Sequence, residues 1–404
     1  MRPTQTASTV ALLALAACSD DTRPPPDLES RFGELVVVTG APILPSEPPV
    51  TPIEVVLPES LTAIGASGTS LLLGTTTTTF ELLGETLSEL EVWSDDPSAP
   101  TRTGRVDLIA RDGATLVVLA EEGLFFDFNE KLVPSPASEA IVALTPQAMH
   151  ASGDALYLCT GDGLAKLQDE KLSWLSIADE AGAPTAVYES SQGLLYVAYG
   201  ETLYEIDGDE AFAVPYDTGV VHAIAPGLAD AVVFATDHGL FRRDAKGAWT
   251  QHTLTDDQAA AASLDLAFYP KDGTYARTAE GVLLLREGEL SGVVTSDAER
   301  LISDDFGRLW LGAGRALEGL PIGTPVGFAE DVAPLLASHC ATCHATGEEN
   351  APIVSFESYD DVALLGSVLL DRVASGQMPP AGSPALSGDA VDLINRWYLS
   401  GQNP

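Results

Sequence analysis

Leu156-Tyr157-Leu158-Cys159-Thr160-Gly161-Asp162-Gly163-Leu164 sets the pattern for most of this chain. Five residues rich in apolar and aromatic side chains suit a strand, Gly-Asp-Gly suits a tight turn, and Leu164 begins a second strand. The pattern returns in Leu116 to Leu124, Leu195 to Leu203 and Val232 to Leu240, and its turn in Thr278-Ala279-Glu280-Gly281-Val282. The shared Leu or Val falls at 124, 164, 203, 240 and 282, so the intervals are 40, 39, 37 and 42. A second turn precedes most copies: Asp112-Gly113, Ser152-Gly153, Gln192-Gly193, Asp272-Gly273 and Phe306-Gly307. Looser units from Gly68 to Phe80 and from Gly307 to Leu317 bring the repeats to seven. Short strands broken by Gly and Asp turns exclude helical solenoids of similar period; the reading is an all-β propeller of seven blades.

The last repeat lacks an outer strand before Thr324, and Ile53 to Leu57 is placed to supply it and close the ring. Closure matters because an open sheet would leave unpaired strand edges. Asp304-Asp305-Phe306-Gly307-Arg308-Leu309-Trp310-Leu311-Gly312 resembles the Asp-x-x-Gly-x-Leu-Trp-x-Gly repeat of sensor-type propellers. The match is good in this blade and degenerate in the others.

Outward from the repeats, the first residues read as a leader. The apolar run from Ala7 to Ala17 is too short to span a bilayer, which needs about 20 residues. With Arg2 ahead of it, it reads as a signal peptide over residues 1–17. Leu15-Ala16-Ala17-Cys18 resembles the bacterial lipobox, which implies acylation at Cys18 and a membrane anchor. Ser19 stands where an Asp often marks inner-membrane retention in such lipoproteins, so the resemblance favours the outer membrane of a Gram-negative-type envelope, on the periplasmic side. Residues 18–52, with Pro24-Pro25-Pro26 and five more prolines from Ala41 to Pro52, read as an extended tether. Within them Glu34 to Val38 suits one strand.

The charge balance is lopsided, with 20 Lys+Arg against 59 Asp+Glu and a net of −39. Such a surface repels nucleic acid and favours cationic partners. The propeller region, 53–323, offers little recognisable chemistry. His150, His222, His238 and His252 share no ligand spacing and read as surface or hydrogen-bonded loop residues. Cys159 sits where other repeats have Ala198, Ala235 and Gly312, which predicts a small buried core residue. The Thr75 to Thr79 run reads as β-propensity alone. Acidic turns such as Asp95-Asp96 lack the alternating oxygen ligands of a calcium loop.

The final segment carries Cys340-Ala341-Thr342-Cys343-His344, the C-x-x-C-H spacing of covalent haem attachment. Two thiols three positions apart reach both vinyl groups of one porphyrin, and His344 then offers its imidazole to the iron. A structural zinc site usually draws a second ligand pair from a separate segment, and the sequence has no second Cys pair; the neighbouring His339 reads as a bystander. Met378, in Gly376-Gln377-Met378-Pro379-Pro380, is the only methionine after the motif. An apolar face at Phe328, Val332 and Leu335/Leu336 leads into the motif. Ser358 and Ser387 are placed to cap a middle helix and a last helix bearing Val391, Ile394, Trp397 and Tyr398. Motif, Met-Pro-Pro and helix order together resemble class I cytochrome c over residues 324–404. The resemblance implies a small all-α domain with one covalent haem c on Cys340 and Cys343, and His344 and Met378 as axial ligands. A His/Met pair leaves no open position, which suits electron transfer.

The expectation is therefore a multidomain, membrane-anchored electron carrier whose propeller docks or positions it. The cytochrome portion carries 10 acidic residues against Arg372 and Arg396, which predicts a redox partner with a basic face. Two alternatives stay open: an oxidoreductase with its active site in the propeller and the haem as electron exit, and a haem-containing binding or sensor protein.

Overall fold

The computed structural model describes residues 31–399, leaving out positions 41, 43, 46–51, 68–69, 84–85, 95–99, 113–114, 128–130, 154, 178–181, 256–257, 259–263, 305–306, 323–325, 345–355, 357, 381–382 and 384. Cys18 lies outside the described residues.

Each sequence repeat folds into one antiparallel blade, and there are seven. The quoted stretch supplies the second and third strands of the third blade, Ala155–Thr160 and Gly163–Gln168, with Cys159 opposite Leu164. Ala148–Ser152 lies inside them and Lys171–Leu175 outside. The first strands of successive blades contact one another, and Arg300–Ser303 of the seventh contacts Leu61–Ser67 of the first, closing the ring. As the sequence predicts, Ile53–Val56 completes the seventh blade antiparallel to Ala316–Pro321.

The Gly-Leu turn is built on two needs. Gly239 and Gly281 have φ of +117° and +151°, and a Cβ on either would lie 2.2 Å from the outer strand's carbonyl oxygen, of His252 or Val294. Only glycine meets both conditions. The preceding threonine ties the turn. Thr75, Thr160, Thr236 and Thr278 donate their hydroxyls to the carbonyls of Thr78, Gly163, Gly239 and Gly281 at 2.8–3.0 Å. All four threonines are buried, so the hydroxyl satisfies a carbonyl that water does not reach. Thr75 does more than favour a strand: Thr76 and Thr77 donate to the Glu59 carboxylate at 3.1 and 2.7 Å, and Thr75 shares its one hydroxyl proton between Thr78 and that carboxylate, 3.1 Å away. The three hydroxyls, Thr77 foremost, hold the Glu59 carboxyl below its ordinary range. That cluster fastens the segment between closing strand and first blade.

The core is distributed between neighbouring blades. Leu57, Leu61, Leu73, Trp310 and Leu317 pack where the seventh meets the first. Tyr196, Phe234, Phe241 and Trp249 pack where the fourth meets the fifth, joined by Phe32. Within the Pro-rich stretch, Leu35–Val38 forms a fifth strand, parallel to Trp249–His252. Arg31 just before it pairs with the fully buried Glu205 at 2.8 Å, and Arg243 pairs with the same carboxylate at 2.7 Å. Part of the segment read as a spacer is thus fastened to the propeller wall.

After the propeller come the wide helical turn Phe328–Val332, the helices Ala333–His339 and Ala341–His344, then Tyr359–Ala374 and Gly388–Leu399. Pro334 has no amide to donate to Glu330, which is where the wide turn falls. Ser358 and Ser387 cap as expected, accepting the Asp361 and Ala390 amides at 3.2 Å. Gly366, at φ +37°, kinks the third of these helices, which the apolar pattern did not signal. Val332, Leu336, Val362, Leu369, Ile394 and Trp397 form a core separate from those of the blades. The first turn meets the last helix through Phe328 and Trp397, ring centroids 5.5 Å apart. Among the described residues no helix is long and apolar enough to cross a membrane.

Candidate functional site

Residues 340–344 make one helical turn: Cys343 and His344 donate their amides to the Cys340 carbonyl at 3.1 and 3.0 Å. The turn carries Cys340, Cys343 and His344 within five consecutive residues, and neither thiol is in a disulfide. Cys340 is half-buried against the helical core, and that burial pushes its thiol pKa up, with Cys343 adding to the effect. Cys343 is exposed. The His344 ring stacks on Phe356, centroids 4.3 Å apart and planes 19° apart, which fixes the ring's orientation. Phe356 also donates its amide to the His344 carbonyl at 3.2 Å. Met378 comes from elsewhere, on the loop after Tyr359–Ala374, where its amide donates to the Arg372 carbonyl at 2.9 Å. Its side chain is 40% exposed. Among the described residues no three His, Cys, Asp or Glu side chains converge as a metal-holding group.

A second site candidate lies on the propeller axis. The first strands of all seven blades enclose a cavity of about 770 Å³. His150 of the third blade lines it, 4.8 Å from the Tyr188 ring of the fourth. Burial lowers the His150 pKa to about 4, against the hydrogen bond it makes with the Glu189 backbone, so the imidazole is neutral at physiological pH. His222 of the fifth blade lines it too, held at 2.7 Å by Asp237. Asp265 and Arg277 are cross-strand partners in the sixth blade, with Arg300 in the seventh.

The histidines thus separate. His238, 3.3 Å from Asp217, is the hydrogen-bonded loop residue expected. His252 is buried at 2% exposure within Trp249–His252, and that desolvation lowers its pKa, with Arg242 adding to the effect. His150 and His222 face the cavity. Their placement carries no local signal, because the first strand of each blade lies ahead of the strand–turn–strand unit that repeats. Cys159 is buried as predicted, and desolvation pushes its pKa to about 12.

No protein-family profile matches the sequence, and no curated protein matches it. Solved structures do share the propeller. Virginiamycin B lyase from Staphylococcus aureus aligns over 68% of this chain and 99% of its own, at 13% identity and TM-score 0.51. PorZ, a bacterial surface component of the type-IX secretion system of Porphyromonas gingivalis, aligns over 68% of this chain and 40% of its own, at 13% identity and TM-score 0.52. An extracellular domain from B. thetaiotaomicron aligns over 70% of this chain at 12% identity and TM-score 0.51, and this chain spans 41% of that one. At these identities the likeness is one of fold, and the fold is a seven-bladed β-propeller.

Proposed function

We propose that the chain is a lipid-anchored, extracytoplasmic c-type cytochrome for single-electron transfer, with the propeller as its docking or positioning module. The observation that carries the reading is the single turn holding two unpaired thiols and an adjacent imidazole, set beside an independent helical core. Cys340 and Cys343 would hold the porphyrin covalently, and His344, oriented by Phe356, would present its ring nitrogen. Met378 would offer its thioether from the opposite segment. Among the described residues the helical unit also exposes apolar side chains, Leu364 at 89%, Val368 at 55% and Met378 at 40%. Such surface suits a large apolar macrocycle and is otherwise costly to leave wet. When bound, the haem supplies a one-electron couple; the protein supplies its ligands and surroundings.

Acylation at Cys18 would anchor the chain on the periplasmic side, with the outer membrane preferred. The extracellular setting of the B. thetaiotaomicron propeller agrees with that compartment. The acidic helical unit calls for a redox partner with a basic docking face.

The test is expression with the leader in a host that matures c-type cytochromes. One haem per chain that survives denaturing electrophoresis, lost in the Cys340→Ala/Cys343→Ala double variant, is the expected result. A mature wild-type protein without covalent haem rejects the function. A reduced-minus-oxidised spectrum unchanged by Met378→Ala rejects that ligand alone.

A further inference from the structure

The axial cavity has the size of a small-molecule site. Its charge runs against the rest of the chain. Overall there are 20 Lys+Arg to 59 Asp+Glu, yet Arg111, Arg277 and Arg300 line the cavity against Asp107 and Asp265. The excess is one positive charge, placed in a molecule that is elsewhere strongly negative.

Arg277 is the most constrained of these groups. Only 7% of it is exposed, and its Nη1 donates to the Ala298 carbonyl at 3.2 Å. Its Nε–H is buried and has no hydrogen-bond partner. An unmet donor on a buried guanidinium is unfavourable unless something accepts from it. Asp265 does not settle the account: its Oδ1 accepts from the Leu266 amide at 2.9 Å, and desolvation raises its pKa despite the opposing pull of Arg277 and Arg300. Arg300 is held in place by donating from Nε to the Thr62 carbonyl at 3.1 Å and from Nη1 to the Glu299 carbonyl at 2.9 Å. Two guanidiniums therefore stand where the sixth blade meets the seventh, with Asp265 in the cavity lining and the Glu299 carboxylate acting on Arg277 from outside it.

Across the ring from that seam lies the third blade. There His150 carries a second unmet polar atom, Nε2, buried beside Tyr188. Between the two walls the lining is mixed, with the apolar side chains of Ile64, Ile109, Phe268 and Ile302 among the polar ones of Gln147, Thr185 and Ser303.

We propose that this cavity binds a small aromatic monocarboxylate, its anionic head on Arg277 and Arg300 and its ring along the apolar side chains toward His150. A single excess positive charge matches a monoanion rather than a phosphate dianion. A hydroxyl on the far side of the ring would meet His150 Nε2. The site is independent of the haem, so its success or failure leaves the electron-transfer reading untouched.

The test is calorimetric titration of the purified full-length protein with benzoate, 4-hydroxybenzoate and cinnamate. 4-Hydroxybenzamide serves as the uncharged control and inorganic phosphate as the charge control. Saturable binding of at least one carboxylate with a dissociation constant below about 1 mM, and no binding of the amide, is expected. Arg277→Gln should weaken it by about tenfold or more, the scale on which a charged hydrogen bond is lost. Should Arg277→Gln fail to fold, the exposed Arg300→Gln is expected to weaken binding in the same direction. No saturable binding of any of the three acids overturns the proposal. So does equal binding of the amide or of phosphate, or wild-type affinity in a folded Arg277→Gln or Arg300→Gln protein.

Discussion

The indole N–H of Trp310 donates to Asp304 Oδ2 at 2.8 Å, and Asp304 Oδ1 accepts the Arg308 amide at 2.9 Å. This is the physical content of the Asp-x-x-Gly-x-Leu-Trp pattern in the seventh blade. The carboxylate ties the turn back on itself and satisfies an indole that is 98% buried between the seventh and first blades. Asp304→Ala leaves both donors unmet and should lower the unfolding free energy by about 2–4 kcal/mol. Asp304→Asn, which keeps an acceptor oxygen, should lose less. Denaturant midpoints compared at constant slope decide the order.

Glu205 makes a second such bracket, with Arg31 at 2.8 Å, Arg243 at 2.7 Å and the Tyr196 hydroxyl at 3.1 Å. Its side chain is fully buried, so its removal strands the Arg243 guanidinium and leaves Arg31 only Asp207, at 3.3 Å. Glu205→Ala should cost about 3–5 kcal/mol. It should also loosen Leu35–Val38 from the fifth blade, seen as earlier proteolysis near residue 35 while the rest of the propeller stays intact. Cleavage at the wild-type rate would contradict the fastening role.

The blade count was legible because the strand–turn–strand unit is stamped by chemistry: glycine at positive φ, a buried threonine tying the turn, and apolar strands on either side. Asp304 and Trp310 were visible as a motif, although only their contact explains why the motif holds. The caps Ser358 and Ser387 were legible for the same reason, since capping is local. What stayed hidden depends on contacts distant in sequence. Arg31 meets Glu205 across 174 positions, and no local pattern announces that pairing. His150 and His222 looked alike as isolated histidines, and only ring closure turns them inward. The Thr75 to Thr77 run read as propensity because its partner, Glu59, lies on the far side of a strand turn.

Ring closure should depend on Leu57, which is fully buried against Leu61, Trp310 and Leu317. Leu57→Ala opens a cavity at the one seam joining the two ends of the propeller, and should cost about 2–5 kcal/mol. Because closure couples all seven blades, the expected transition stays single but moves to lower denaturant. A normal midpoint with a new early transition would mean that the seam opens by itself.

Burial of His150 makes stability depend on acid. The unfolded chain takes up this proton near its ordinary pKa of 6.5, the folded chain only near about 4. Between those values the unfolded state binds more protons, so stability falls as pH drops through the window. The lost stabilisation is at most roughly 3 kcal/mol. His150→Phe should remove this part of the slope between pH 6.5 and 4 while leaving the rest of the acid response, as read from melting temperatures across that range.

The described cysteines should separate by reactivity in protein made without haem. Alkylation proceeds through the thiolate and needs access. Cys343 is exposed, Cys340 is half-buried with a raised pKa, and Cys159 is fully buried with its pKa pushed to about 12. At pH 8 the thiolate fraction of Cys159 is on the order of a thousandfold below that of an ordinary thiol, before any loss from inaccessibility. Iodoacetamide labelling read by peptide mass should therefore run Cys343 first, Cys340 next and Cys159 only after unfolding. The order bears on the motif itself. Cys340 keeps its place through the core it packs against, so the turn is held from the buried side and offers its reactive thiol on the open one. Labelling of Cys340 ahead of Cys343 would place the turn the other way round.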